Sequence, residues 1–168
     1  QGLHDRMGCE EEWAQEIINK LMSRFPKIRE YIDSTHKEIL VKKKVSTPYG
    51  RVRRFPMVGM DKSIRNKNQR QGVNFLVQSY SSDIVMSCLS NISKMLHEVR
   101  GRLLLTVHDS ICAEIPESEL PNLSGFLERS ITSHIQSEFS DIVVPMPYDV
   151  LVGTSYGETD DLENVIIQ

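Results

Sequence analysis

Apolar side chains recur along this chain at two different spacings, and the changes of spacing mark out its elements. Between Cys9 and Phe25, Trp13, Ile17, Leu21 and Phe25 stand four apart, with Ala14, Ile18 and Met22 in the adjacent row. That period predicts an amphipathic helix. Glu10, Glu11 and Glu12 lie in its first turn, where they complement the helix dipole, and Pro26 ends it. Trp13 is expected in the core or at its rim. Ile28, Tyr31, Ile32, Thr35 and Ile39 form the buried stripe of a second helix over Lys27–Leu40. Lys42, Lys43 and Lys44 then lead into Val45 and Thr47, Pro48-Tyr49-Gly50 makes a turn, and Arg51, Val52, Arg53 and Phe55 alternate before Pro56, which predicts an exposed hairpin with arginines on one face. Met57–Asn68 is expected to be irregular.

Helical spacing returns over Gln69–Leu96, with Val73, Leu76, Val77, Tyr80, Ile84, Val85, Cys88, Leu89, Ile92 and Leu96 inward. Next, Arg102–Pro116 reads as two short apolar runs. Leu103, Leu104, Leu105 and Val107 form the first; Ile111, Ala113 and Ile115 alternate in the second. They predict a tight hairpin whose first strand is buried on both faces. Glu117–Phe139 predicts another amphipathic helix with Ser118 as N-cap and Leu120, Leu123, Leu127, Ile131 and Ile135 on its core side. Ile142–Val152 is a strand interrupted by Pro145 and Pro147, closed by Gly153 to Gly157, and the acidic end from Glu158 is expected to be loosely held. This order predicts an α+β fold, an antiparallel sheet backed by helices.

Composition narrows the class. The 168 residues, 39% hydrophobic and 26% charged, suit one globular domain burying about 70% of its unfolded surface. No apolar run approaches the ~20 residues that span a bilayer, so no membrane partner is expected. Three widely spaced cysteines without a CxxC pair argue against a zinc site or a disulfide framework and suit a reducing cytoplasm. Residue 1 is Gln, and the chain is expected to be cut from something longer. Charge is segregated. Lys37 to Arg70 holds eleven Lys and Arg against Glu38 and Asp61, a local +9, while the remainder carries nine bases against twenty-one acids. This is either a basic face for a polyanion or a solvated basic loop.

Two constellations carry candidate chemistry. His108, Asp109 and Ser110 fall at the turn of the 102–116 hairpin. A carboxylate there either bonds its own turn, as aspartates commonly do, or holds a divalent cation through hard oxygen ligands. Arg70, Asn74 and Gln78 stand at i, i+4 and i+8, one row on a helix face. Such a row is either ordinary solvated surface or a set of groups suited to minor-groove acceptors, which barely vary with sequence. A His-Asp doublet also occurs in metal-dependent phosphohydrolases, but His4, His36, His97 and His134 lack the ligand spacing that chemistry needs.

Three segments together carry a resemblance. Thr47–Pro56, TPYGRVRRFP, is similar to T-x-x-G-R-x-R-x-x-P; Arg70–Ile84, RQGVNFLVQSYSSDI, to R-x-x-x-N-x-x-x-Q-G-x-x-A-D-I; and LLLTVHDSICAEIP to L-x-x-x-V-H-D-E-x-x-x-E-x-P. In this order they resemble the C-terminal part of the family A, DNA polymerase I-like polymerases. Weaker similarity extends to both ends, with Tyr156 where that family usually has tryptophan.

The resemblance implies a palm-type antiparallel sheet whose central hairpin, at 102–116, carries motif C, backed by long helices. Residues 1–40 would be helices at the base of the fingers and 41–168 the palm. Asp109 would be a catalytic ligand of Mg2+ acting with a motif A aspartate, and His108 would stand beside the primer terminus. Arg70, Asn74 and Gln78 would track the DNA minor groove, and Arg51 and Arg53 would contact the DNA backbone. Ser110 stands where the family commonly has glutamate, and Glu114 matches a structural or outer metal-site position. Neither motif A nor the fingers nucleotide-binding helix occurs in this sequence. The implied activity, template-directed addition of deoxynucleoside triphosphates to primer-template DNA by a two-metal mechanism, would need an N-terminal polymerase part in cis or trans. The setting implied is the cytoplasm of a bacterial or phage-infected cell. The competing reading is a non-catalytic DNA-binding module using the basic face at 37–70.

Overall fold

The computed structural model describes residues 5–6 and 8–162, so Gly2 to His4 and Met7 of the N-terminal resemblance lie outside it. Packing divides the chain between Tyr80 and Ser81 into two compact units. Among the described residues no helix is long and apolar enough to cross a membrane.

In the first unit, α1 (Glu11–Arg24) and α2 (Pro26–Lys42) follow their predicted bounds closely. Pro26 stops the first and opens the second, because a first helical turn is where the missing N–H costs nothing. The predicted stripes are buried only in part. Ala14, Thr35 and Ile39 are inside, whereas Trp13, Leu21, Phe25, Ile28 and Tyr31 remain about half exposed. β1 (Lys44–Ser46) and β2 (Val52–Arg54) pair antiparallel, Val45 opposite Arg53. The Thr47–Gly50 turn closes on an N–H of Gly50 donating to Thr47 O at 3.0 Å. Gly50 has φ +82, a conformation glycine enters without steric cost. Ile39, Val45, Phe55 and Val58 form this unit's core, with Phe75 and Leu76 packed against it.

The long helix α3 (Lys62–Met95) contributes to both units. It begins at Lys62 rather than Gln69, so most of Met57–Asn68 is helical and not irregular. The cause is Asp61, whose Oδ1 accepts the Ile64 N–H at 2.8 Å and satisfies one of the orphan donors of the first turn.

In the second unit a 3-10 turn, Leu96–Val99, leads into β3 (Arg102–Val107) and β4 (Ser110–Glu114). The helix predicted over Glu117–Phe139 is in four pieces: a 3-10 turn at Glu117–Glu119, α4 (Leu120–Leu127), a π turn at Glu128–Thr132, and α5 (Ser133–Glu138). The wide π turn admits an extra residue and rotates the buried face. Leu123, Phe126 and Ser130, three and four apart, share the buried face, the last two 2% and 0% exposed although neither belongs to the predicted stripe, and Ile135 follows Ser130 by five across the π turn. Ser118 does not cap the helix; its Oγ accepts an N–H of Arg100 at 2.8 Å.

Among the described residues the strands are antiparallel, as expected for an α+β fold, and form three separate two-stranded ribbons. β3 is not buried on both faces: Leu104, Leu105 and Val107 are 49%, 44% and 42% exposed. Only Leu103, Ile111 and Ile115 of this stretch reach the core formed by Ile92, Leu96, Val99, Leu123, Phe126 and Leu162. The strand predicted over Ile142–Val152 starts only at β5 (Leu151–Ser155), since Pro145 and Pro147 keep the preceding residues from a ladder. Glu158–Asp161, expected to be loose, is its partner β6. Leu162 anchors it, with a buried side chain and an N–H bonded to Val150 O at 3.0 Å.

Candidate metal site and nucleic-acid interface

In the second unit, Val107 pairs with Ser110, leaving His108 and Asp109 as a two-residue hairpin turn. Such turns need a positive φ at their first position. His108 supplies it at φ +56, a region in which histidine is enriched among non-glycine residues. The Ser110 hydroxyl donates to Val107 O at 2.8 Å and closes the tip. His108 and Asp109 are both exposed. At the other end of the ribbon Arg102 stands opposite Glu114, its Nε and Nη2 donating to Glu114 Oε2 at 2.9 and 2.7 Å. Glu114 is thus held in a cross-strand ion pair, and the Ser110 hydroxyl is spent on the backbone.

An exposed carboxylate on a rigid tip suits magnesium, which takes one or two protein carboxylates and completes its shell with water and phosphate oxygens. Asp109 can provide one of them. Among the described residues no three His, Cys, Asp or Glu side chains gather into a metal-holding group.

In the first unit, Arg70, Asn74 and Gln78 are all exposed on α3, in the row their spacing predicts. Arg70 and Asn74 line an open groove of about 420 Å³ with Ile32 and His36 of α2 and with Gln71 and Val73. All eleven basic side chains between Lys37 and Arg70 are exposed, Arg51 and Arg53 among them. Arg53 is also engaged internally, its Nη2 donating to Gln71 Oε1 at 3.2 Å.

Sequence reasoning did not single out His36, Gln71 or the Tyr49–Tyr80 ring stack, with centroids 5.7 Å apart. It also missed the contact between Ser87 Oγ and His134 Nε2, 2.8 Å, which ties α3 to α5. Each joins residues far apart in the chain, so no local pattern could reveal the pairing.

The fold is that of part of a polymerase domain. The "POL domain of Pol1 from M. smegmatis complex with DNA primer-template and dNTP" matches this fold with a TM-score of 0.73 at 24% identity, over 79% of this chain and 24% of that one. The chain belongs to DNA polymerase family A, whose profile matches residues 1–158. It is 32% identical over 163 residues to DNA polymerase I of Chloroflexus aurantiacus, covering 96% of this chain and 17% of that protein. It is 30% identical over 154 residues to the DNA polymerase of Bacillus phage SP01, covering 88% of this chain and again 17% of the relative. The chain therefore spans about a sixth of the length of these relatives.

Proposed function

We propose that this chain supplies the motif C carboxylate and part of the primer-terminus grip of a template-directed DNA polymerase. The observation that carries this is Asp109, held exposed on a two-residue β-turn in a chain of family A. Asp109 provides one carboxylate toward Mg2+, and His108 beside it presents an imidazole toward the primer terminus. When bound, the metal ions favour ionisation of the primer 3′-hydroxyl and offset charge on the triphosphate and the leaving pyrophosphate. Arg70, Asn74 and Gln78 hydrogen-bond minor-groove acceptors common to all base pairs, so they test duplex geometry rather than sequence. Arg51 adds a charge-assisted contact to a backbone phosphate. The partners are primer-template DNA and deoxynucleoside triphosphates, both present in the complex of the M. smegmatis polymerase domain.

A two-metal site needs a second acid. Ser110 offers a hydroxyl already bonded to Val107, and Glu114 is paired with Arg102. The second aspartate and the nucleotide-binding helix would come from a polymerase part outside this sequence, in cis or in trans. On this reading residues 1–40 lie at the base of the fingers and 41–168 belong to the palm, in the cytoplasm of a bacterial or phage-infected cell.

The test is Asp109→Asn in the complete polymerase that carries this chain, assayed by primer extension with magnesium. Replacing a carboxylate ligand by its neutral isostere should cost more than the roughly 10- to 100-fold typical of groups one shell further out. Extension near the wild-type rate would refute the assignment.

A further inference from the structure

The β1–β2 hairpin grips α3 at two points. At the first, the Arg53 guanidinium carbon lies 5.6 Å from the Phe55 ring centroid and 5.9 Å from that of Phe75, while its Nη2 donates to Gln71 Oε1 at 3.2 Å. At the second, the Tyr49 and Tyr80 rings stack with centroids 5.7 Å apart and 29° between their planes. Both arrangements lie within the attractive range for cation–π and aromatic pairs. Gln71 and Phe75, four apart, share one flank of α3. Tyr80 follows Gln71 by nine residues, about two and a half turns, and so lies on the opposite flank. Between the grips sits Gly72, where an added Cβ would collide with Cδ1 of Ile39. The Arg70–Asn74–Gln78 row is one residue, about 100°, round the helix from the Gln71–Phe75 stripe. A rotation of α3 that swung the row away would break both grips together.

We propose that Arg53 and the Tyr49–Tyr80 pair are positioning residues: they lock the rotation of α3 on the hairpin and so aim the Arg70–Asn74–Gln78 row at the primer duplex. Arg53 then acts through Gln71 and Phe75, in place of the phosphate contact the family resemblance implies. The inference rests on the reading of that row as a duplex contact. A planar guanidinium is needed for it, since an ammonium at the same place keeps the charge but can neither stack as a plane nor reach Gln71 with the same fork.

The experiment measures binding of primer-template DNA by the complete polymerase between about 50 and 200 mM salt. Arg53→Lys and Arg53→Ala are expected to weaken binding alike, about five-fold, with the slope of log K against log[salt] unchanged. Tyr80→Thr should weaken it comparably, and Tyr80→Phe, which keeps the ring, should stay closer to wild type. If Arg53 is a phosphate contact, lysine rescues and alanine reduces the slope by about 0.9, and the proposal is overturned. Wild-type binding by Arg53→Lys or by Tyr80→Thr overturns it too. Arg70→Ala in the same assay separates the two layers. If Arg70→Ala also binds normally, the row's contact with the duplex fails; if it alone weakens binding, the positioning role fails.

Discussion

Arg102 and Glu114 face each other across the base of the hairpin whose tip carries His108 and Asp109, and two N–H groups of the arginine converge on one carboxylate oxygen at 2.9 and 2.7 Å. Their side chains are 74% and 57% exposed, which places the pair in the range of about 0.2–1 kcal/mol for solvated ion pairs. Glu114→Gln should therefore lower stability by less than about 1 kcal/mol in urea unfolding. It should leave the magnesium concentration for half-maximal primer extension unchanged. A several-fold rise in that concentration would show that Glu114 acts on the metal and not only on the hairpin.

Ser110 differs from Glu114 in lying beside the turn itself. Its hydroxyl holds Val107 O at 2.8 Å, so the tip is closed by a hydrogen bond where a second acid could have stood. Ser110→Glu should reduce the magnesium concentration needed for half-maximal extension, because a second hard oxygen donor is added next to Asp109. It should also cost roughly 0.5–1.5 kcal/mol of stability through the lost hydrogen bond. A magnesium titration of extension by the complete polymerase checks the first expectation, and no change would indicate that position 110 is directed away from the ions.

At Gly72 the α3 backbone lies against Ile39 of α2. A Cβ there would collide with Ile39 Cδ1, and would lie 3.2 Å from Ile39 Cγ1 and 3.5 Å from the Phe55 ring. Ile39 is fully buried, so it has little room to yield. Gly72→Ala should destabilise by about 1–3 kcal/mol, the usual cost of overpacking a core. Ile39→Val combined with it should cost less than the sum of the two single changes, a coupling that a double-mutant cycle by thermal melting measures directly.

Glu119, like Glu16 beside Lys20, is one of the carboxyls that contribute to the pH dependence. Hydrogen bonds, foremost from Asn122 and then from Arg100, hold its carboxyl below the usual carboxylate range. A depressed folded-state value means that the stabilisation is present above the range in which the unfolded chain titrates, and is lost as pH falls through the lower folded value. Urea midpoints taken from about pH 7 to about pH 3 should fall on acidification. Glu119→Gln should start from a lower midpoint at neutral pH and decline less steeply. An acid limb identical to wild type would remove Glu119 from the linkage.

Much of this fold and candidate site is legible locally. Proline, glycine and the four-residue apolar spacing place α1, α2, the Thr47–Gly50 turn and the His108-Asp109 tip within a few residues of where they lie. The row of Arg70, Asn74 and Gln78 needs only helical geometry to share a face. The misses share one cause, which is that the deciding interaction is remote or subtle. A single aspartate cap brings the start of α3 forward to Lys62, Ser130 is buried one position off the predicted stripe, and Leu162 ties down β6 through Val150. Leu104, Leu105 and Val107 look like a buried strand by composition, yet whether a strand is covered depends on what packs over it.

The sequence by itself determined the order of elements from α1 to β4, the turn residues of the first two hairpins and membership of DNA polymerase family A, because these follow from backbone preference and from short motifs in register. Tertiary structure alone decided that Glu114 is bound to Arg102, that Ser110 closes its own turn and that Arg53 lies across two phenylalanine rings. Those outcomes depend on groups up to 22 residues apart meeting at hydrogen-bonding or van der Waals distance, and only a folded backbone brings them there.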